Sequence, residues 1–255
     1  MCILFIAVNQ HPKFPLIIAA NRDEFHQRPT LTSHFWPSHT DVLAGKDLSA
    51  GGTWMGINQN GRIAALTNIR APGKERLNAI TRGELVTNFL TTQTDVTDYL
   101  NTLQNTHLKY NGYNLLFGEL NQLHVYNSFE NKAYKLDDGV YGLSNASLNS
   151  PWPKIDAGRD ALANYCQHAN ILSREHLFEL LKSQQAAHDD ELPNTGIPIE
   201  WERKLSSIFI QSADYGTRSS TVLLIDNNNH CFWEERTFNS NAEMTDTKVF
   251  EFDLT

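Results

Sequence analysis

Apolar residues fall along this chain in short blocks bounded by Gly, Pro, Asn and Asp, the rhythm of strands rather than of long helices. CILFIAV and PLIIAAN open the chain, and TWMGIN and GRIAALTN follow. Gln59-Asn60 separates the last two and Gly61 comes next, which predicts a hairpin and, with the first two runs, a set of neighbouring antiparallel strands. Between the second and third runs lies FHQRPTLTSHFWPSHTDVLAGKDLSAGG. It shows no clean period and reads as a long irregular loop, a kind of segment that is usually functional or disordered. Phe35, Trp36 and Trp54 argue for an ordered, packed one.

The period then changes. Thr81-Arg-Gly-Glu84 has capping-box spacing, and Leu85, Val86, Phe89 and Leu90 recur on one helical face. A second helix is expected around residues 94 to 104, before NLLFGEL, LHVYNS and KAYKL return to strand alternation. After GVYGLSN, Pro151 and Pro153 punctuate the start of a helix with Ile155, Leu162 and Cys166 on one stripe. Ser173 is the expected cap of another, with Leu177, Leu180 and Leu181 facing inward. HDDELPNTGIP reads as an exposed loop, and SIFIQS, SSTVLLID, HCFWEERTF and VFEFDL close the chain as strands.

Strands at both ends with paired helices between them predict an α+β layered fold of two antiparallel sheets with helices on their outer faces. We expect one domain over residues 1–255, with no linker, repeat or low-complexity segment.

Composition narrows the function classes. The formal net charge of the 255 residues is −8, and the densest basic stretch is Gly73-Lys74-Glu75-Arg76. Nothing resembles a basic stripe for phosphate neutralisation, so nucleic acid is not an expected partner. No apolar run reaches the roughly 18 to 20 residues that span a bilayer, and the first run lacks a basic flank, so neither a transmembrane segment nor a signal peptide is expected. The expected location is the cytoplasm. Three cysteines without C-x-x-C spacing suggest free thiols; Cys166 and Cys231 lie on apolar stripes as core thiols, and Cys2 alone has an unusual address.

Removal of Met1 would leave Cys2 with both a thiol and a free α-amine. An amine of pKa near ~8 suits a general base for an adjacent nucleophile. The bland alternative is that Cys2 merely begins an edge strand. Asn21-Arg22-Asp23-Glu24 follows PLIIAA and so is placed at a strand end near Cys2, where Arg22 would lower the thiol pKa and Asp23 could meet the α-ammonium. Adjacent residues of an extended strand point to opposite sides, so both reach Cys2 only if the chain turns there, and alternation puts Glu24 on the side of Arg22. Asn68 and Asn145 each follow a strand, where an amide can face a developing oxyanion or simply form a turn. Arg218 opens a late strand in the same manner.

Taken together, MCI, LIIAANRDEF, GGTWMGI, IAALTN, TRGELV, YNGYNL, YGLSNASLNSPWPK and YGTRSST resemble, in order and nearly end to end, the NRDE family, also called the transport and Golgi organisation protein 2 family. That family is similar to the N-terminal-nucleophile cysteine hydrolases, such as bile-salt hydrolase and penicillin V acylase. The resemblance implies a four-layer αββα sandwich and, by position, a catalytic set of Cys2, Arg22, Asp23, Asn68, Asn145 and Arg218. One departure is that Arg22 and Asp23 are adjacent, where the bile-salt hydrolases separate the pair by two residues. The resemblance carries two functional implications. One is intracellular haem or acyl-lipid handling, with Asn21, Arg22, Asp23, Glu24, Trp36, Trp54 and Arg218 around a small-molecule ligand; no cofactor is required, and haem enters as cargo. The other is hydrolysis of a carbon–nitrogen amide bond. For haem, ten histidines offer axial ligands, among them His11, His26, His34 and His39, but no spacing singles one out as a metal ligand.

Overall fold

The computed structural model describes residues 2–169 and 171–255, so the expectation about Met1 lies outside the described residues. The strands are β1 (Cys2–His11), β2 (Phe14–Phe25), β3 (Thr30–Trp36), β4 (His39–Asp47), β5 (Met55–Asn58), β6 (Ile63–Asn68), β7 (Tyr113–Glu119), β8 (Gln122–Asn127), β9 (Lys132–Lys135), β10 (Gly139–Leu143), β11 (Tyr215–Ile225), β12 (His230–Phe238) and β13 (Met244–Asp253). The helices are α1 (Gly83–Thr91), α2 (Val96–Thr106), α3 (Pro153–His168), α4 (Arg174–Leu181) and α5 (Ile199–Lys204). Their contacts sort into two units, one of Met1–Gln27, Asp137–Ser144 and Leu148–Phe252, the other of Arg28–Leu136, Asn145–Ser147 and Asp253–Thr255.

The first unit holds a six-stranded sheet in the order β10-β1-β2-β11-β12-β13. Its described ladders are antiparallel, and it joins the two ends of the chain through the β2–β11 pairing. One face is covered by helices: Ile3, Phe5 and Ala7 of β1, Ile17 and Ala19 of β2, and Val222 and Leu224 of β11 pack with Ile155, Leu162 and Cys166 of α3 and Leu177, Phe178 and Leu181 of α4. Each fully buried large side chain there contributes about 1.5–3 kcal/mol relative to exposure. The opposite face is buried too, at Leu4, Ile6, Leu16, Ile18 and Ala20, which explains why these strands read as continuous apolar runs rather than alternating ones.

The second unit holds a seven-stranded antiparallel meander in chain order, β3 to β9. Its core joins Val42, Ala64, Leu115 and Phe117 to Leu85, Val86, Phe89 and Leu90 of α1 and to Val96, Tyr99 and Leu103 of α2. The expected hairpin is present, with Gly61 at φ +79° following Gln59-Asn60. Two antiparallel sheets, each carrying helices, are the α+β arrangement expected.

Four local expectations are corrected. The stretch read as an irregular loop is largely the β3–β4 hairpin; register shifts within it and its Ser, Thr and Pro content hide the alternation. The first four apolar runs do not form one sheet, because β1 and β2 lie in the first unit and β5 and β6 in the second. The capping box at Thr81 does not form: α1 begins at Gly83 without a side-chain cap, and Glu84 accepts a 3.3 Å hydrogen bond from the Tyr110 hydroxyl. Past HDDELPNTGIP, the unanticipated helix α5 precedes β11. No helix among the described residues is long and apolar enough to cross a membrane.

Candidate functional site

Asn21-Arg22-Asp23-Glu24 lies inside β2, which runs on to Phe25, and Asn21, Arg22 and Asp23 are buried. The run is therefore the last part of the strand, beside the start of β1 as expected from sequence, and it is buried there. β2 has β1 on one side and β11 on the other, and β11 begins with hydroxyl-bearing residues that meet the polar run. Buried polar groups persist only where such partners exist.

The strand stays extended, so its side chains divide between two faces. Toward the helices, Asn21 Nδ2 donates to the carbonyls of Leu181 (2.9 Å) and Ile208 (3.0 Å), and its Oδ1 accepts from Ser220 Oγ at 2.6 Å. These bonds make Asn21 a tie between β2, the end of α4 and the segment before β11. Asp23 shares that face: Thr217 Oγ1 donates to its Oδ1 at 2.7 Å and accepts from the Ile210 N–H at 2.9 Å. Burial pushes the Asp23 carboxyl up, while Lys154, the Thr217 bond and Arg22 pull it back. Lys154 is itself buried at the start of α3, with Nζ donating to the Leu205 carbonyl at 2.9 Å.

On the other face Cys2 is directly opposite Arg22, and Arg22 is directly opposite Ser219 of β11. Directly opposed residues of antiparallel strands share a face, so the three form a row. Asp23 lies one register step beyond Cys2, on the side of the Cys2 nitrogen. The Cys2 carbonyl accepts from Ser144 Oγ at 3.2 Å. Its surroundings push the Cys2 thiol up, chiefly by burial, with Asp23 and Glu24 adding to the effect and Arg22 opposing it. Arg218 donates through Nη1 to the Phe25 carbonyl at 2.9 Å. Its guanidinium is pulled below its ordinary range by burial and then by Arg22, with Glu24 opposing. Cys2, Arg22, Glu24 and Arg218 are thus brought together.

Asn68 and Asn145 come together in the second unit, where Asn145 Nδ2 donates to the Asn68 carbonyl at 2.9 Å and its own carbonyl accepts from the Arg70 N–H at 2.8 Å. That geometry holds the Asn145 amide against backbone. Trp36, expected to wall a ligand, is a core residue of the second unit: it is 3 % exposed, and its indole N–H donates to the Ala44 carbonyl at 3.1 Å. Trp54 packs on β4, so close to Gly45 that a Cβ there would meet its ring at 2.3 Å. Phe35 is half-buried on β3. These aromatics belong to the packing of the β3–β4 hairpin, which the reading of that segment as a loop concealed.

Ring nitrogens of His11, His26 and His34 lie 2.8–3.1 Å from backbone carbonyl oxygens. Among the described residues, no three His, Cys, Asp or Glu side chains come together as a metal site requires. Residue type alone does not single out Thr217, Ser219 and Ser220. Their signal was present, since YGTRSST puts polar residues at the head of a strand whose remainder, VLLI, is wholly apolar.

The sequence matches the family described as Transport and Golgi organisation 2 over residues 1–240. It is 35% identical over 275 residues to the Transport and Golgi organization protein 2 homolog of Bos taurus, covering 100% of this chain and 99% of that one. It is 33% identical, with the same coverage, to the human homolog. Among solved structures it is similar to the Caenorhabditis elegans ortholog of N-acylethanolamine-hydrolyzing acid amidase, at TM-score 0.55, 14% identity and coverage of 88% and 92% of the two chains. A variant of conjugated bile acid hydrolase from Clostridium perfringens gives TM-score 0.51 at 10% identity, covering 100% and 98%. At such identities the likeness is one of fold, and the fold is that of the N-terminal-nucleophile hydrolases.

Proposed function

This chain belongs to the Transport and Golgi organisation 2 family, and on that premise we propose that it handles an apolar small molecule bearing anionic groups, either haem or an acyl lipid such as a long-chain acyl-coenzyme A. The ligand is held at the Cys2 end of the six-stranded sheet. The observation that carries this reading is the pair of guanidinium groups, Arg22 and Arg218, close enough for one to depress the other, beside Glu24 and with Asp23 on the opposite face of the strand. In a chain of net charge −8, two guanidinium groups gathered at one sheet end suit the propionates of haem or the phosphates of coenzyme A. The reading requires no resident cofactor. A raised Cys2 thiol stays protonated at neutral pH, which suits a binding site better than a standing nucleophile. Titration with haem and, separately, with palmitoyl-coenzyme A should saturate for one of them and weaken about 10-fold or more for Arg22→Ala and for Arg218→Ala, as loss of a charge-assisted contact implies. Absence of saturable binding to both ligands refutes the reading.

The pairing of Cys2 with Arg22, with Asp23 one step beyond, favours a second reading, amide hydrolysis. Removal of Met1 would free the Cys2 α-amine beside Asp23. That amine would take the thiol proton, the sulfur would attack the amide carbon, and the amine would return the proton to the leaving nitrogen; water, giving a proton to the same amine, would then cleave the thioester to the free acid and the Cys2 thiol. Intact-mass measurement of Met1 loss, with turnover of N-acyl substrates that Cys2→Ala abolishes, tests it; a Cys2→Ser chain with full cellular function rules it out.

A further inference from the structure

We propose that Ser219 is a third binding residue of the Cys2 site, holding through its hydroxyl an acceptor oxygen of the ligand's carboxylate or phosphate beside the Arg22 guanidinium. The proposal rests on the reading that this end of the sheet takes an anionic small molecule.

The strand β11 carries Thr217, Arg218 and Ser219 in succession. In an unbroken strand residues two apart share a face. Here the register shifts: Thr217 pairs with Asp23, Ser219 pairs with Arg22, and Arg218 is the extra residue between them. Thr217 accordingly joins Asp23 on the helix-covered face, as their 2.7 Å hydrogen bond requires. Ser219 is turned to the opposite face, in one row with Arg22 and Cys2. Bulges recur beside functional sites because they re-aim a side chain in this way.

Ser219 is only 4 % exposed, and its Oγ has no hydrogen-bond partner among the described residues. Its neighbour Ser220 shows the contrast, with its hydroxyl committed to Asn21 Oδ1 at 2.6 Å. A buried hydroxyl without a partner costs stability that alanine would not. Packing alone therefore does not account for Ser219, whereas a ligand oxygen does. Strands lie about 5 Å apart, so the row sets Ser219 beside Arg22 and about 10 Å from Cys2. One carboxylate or phosphate group bridges the first pair while the rest of the ligand extends toward the thiol. Arg22 supplies the charge, and Ser219 supplies a neutral donor that fixes where the second oxygen lies.

Haem and palmitoyl-coenzyme A titrations of the full chain, carried out on wild type, Ser219→Ala and Ser220→Ala, test the proposal. Ser219→Ala should weaken the ligand that binds by about 10-fold, with Tm unchanged or raised. Ser220→Ala should lower Tm and leave affinity within about 2-fold, since it loses a hydrogen bond within the protein. Unchanged affinity in Ser219→Ala overturns the proposal and leaves the hydroxyl holding an ordered water only. If wild type binds neither ligand, the functional reading falls, and a simpler probe decides the role of Ser219. Decanoate should slow alkylation of Cys2 in wild type and require about 10-fold more probe in Ser219→Ala. No protection in wild type, or equal protection in both, overturns the proposal as well.

Discussion

Replacing Thr217 with valine keeps the shape of the side chain and removes one oxygen on which two buried groups depend. Thr217 is 1 % exposed, its Oγ1 donates to Asp23 at 2.7 Å, and it accepts from the Ile210 N–H at 2.9 Å. Loss of a hydrogen bond to a buried carboxylate costs about 1.5–3 kcal/mol, and a buried N–H left unpaired costs about 1–3 kcal/mol. The two losses share an atom and add incompletely, so about 2–5 kcal/mol is expected for Thr217→Val. At about 2–4 °C per kcal/mol for a chain of this size, Tm should fall by roughly 4–20 °C. The penalty also depends on pH. Burial raises the folded-state pKa of Asp23 above its ordinary value, and the Thr217 bond moderates that rise. Between the unfolded and folded pKa values the folded state holds the extra proton, so stability falls as pH rises through that window. Without the Thr217 bond the folded pKa moves higher still, and the loss is larger at pH 7 than at pH 4. Urea unfolding and scanning calorimetry at both pH values measure it, with Thr217→Ser, which keeps the hydroxyl, expected to recover most of the stability. A wild-type Tm in Thr217→Val, or a penalty that grows as pH falls, refutes the reasoning.

A Cβ on Gly158 would lie 2.1 Å from the ring of Phe5, which is fully buried. In Gly158→Ala the overpacking cost of about 1–3 kcal/mol outweighs a helix-propensity gain of about 1 kcal/mol, and a raised Tm would contradict the close approach of α3 to β1. Arg62 caps the end of α1, donating to the carbonyls of Phe89 (3.0 Å) and Thr94 (2.7 Å) while its guanidinium lies 4.0 Å from the Phe89 ring centre. Arg62→Met should cost about 2–4 kcal/mol and speed amide exchange in α1 selectively; uniform exchange rates would count against the cap. Burial pushes Cys166 up to about 11 and Cys231 up to about 12, so iodoacetamide at pH 8 should label Cys2, the partly exposed thiol, well before either. Because the Cys2 thiol is also raised, its labelling rate should keep climbing past pH 9; a plateau near pH 7 would show an activated thiolate instead.

Much of this fold was legible because its signals are local. The helical stripe of Ile155, Leu162 and Cys166 and that of Leu177 and Leu181 are buried as their spacing requires, and the Gln59-Asn60 turn with Gly61 closes the hairpin it suggests. The β3–β4 hairpin was not legible, because its bulges break the alternation that marks a strand. The candidate site divides along the same line. Cys2, Arg22 and Arg218 stand out by residue type and sit together. Trp36 stands out equally and is core, since residue type cannot say which way an aromatic ring points.

By itself the sequence determined the element types, the apolar stripes, the family and the polar run Asn21-Arg22-Asp23-Glu24, all of which depend on composition and spacing along the chain. Only the tertiary structure decided that the strand stays extended through this run, so that Arg22 and Asp23 do face opposite ways, and that Thr217 lies beside Asp23 on one face and Ser219 beside Arg22 on the other. The partner that makes these distinctions is β11, almost two hundred residues away in the chain. Its register against β2 is set by cross-strand hydrogen bonds and one bulge, and such long-range geometry leaves no period in a sequence.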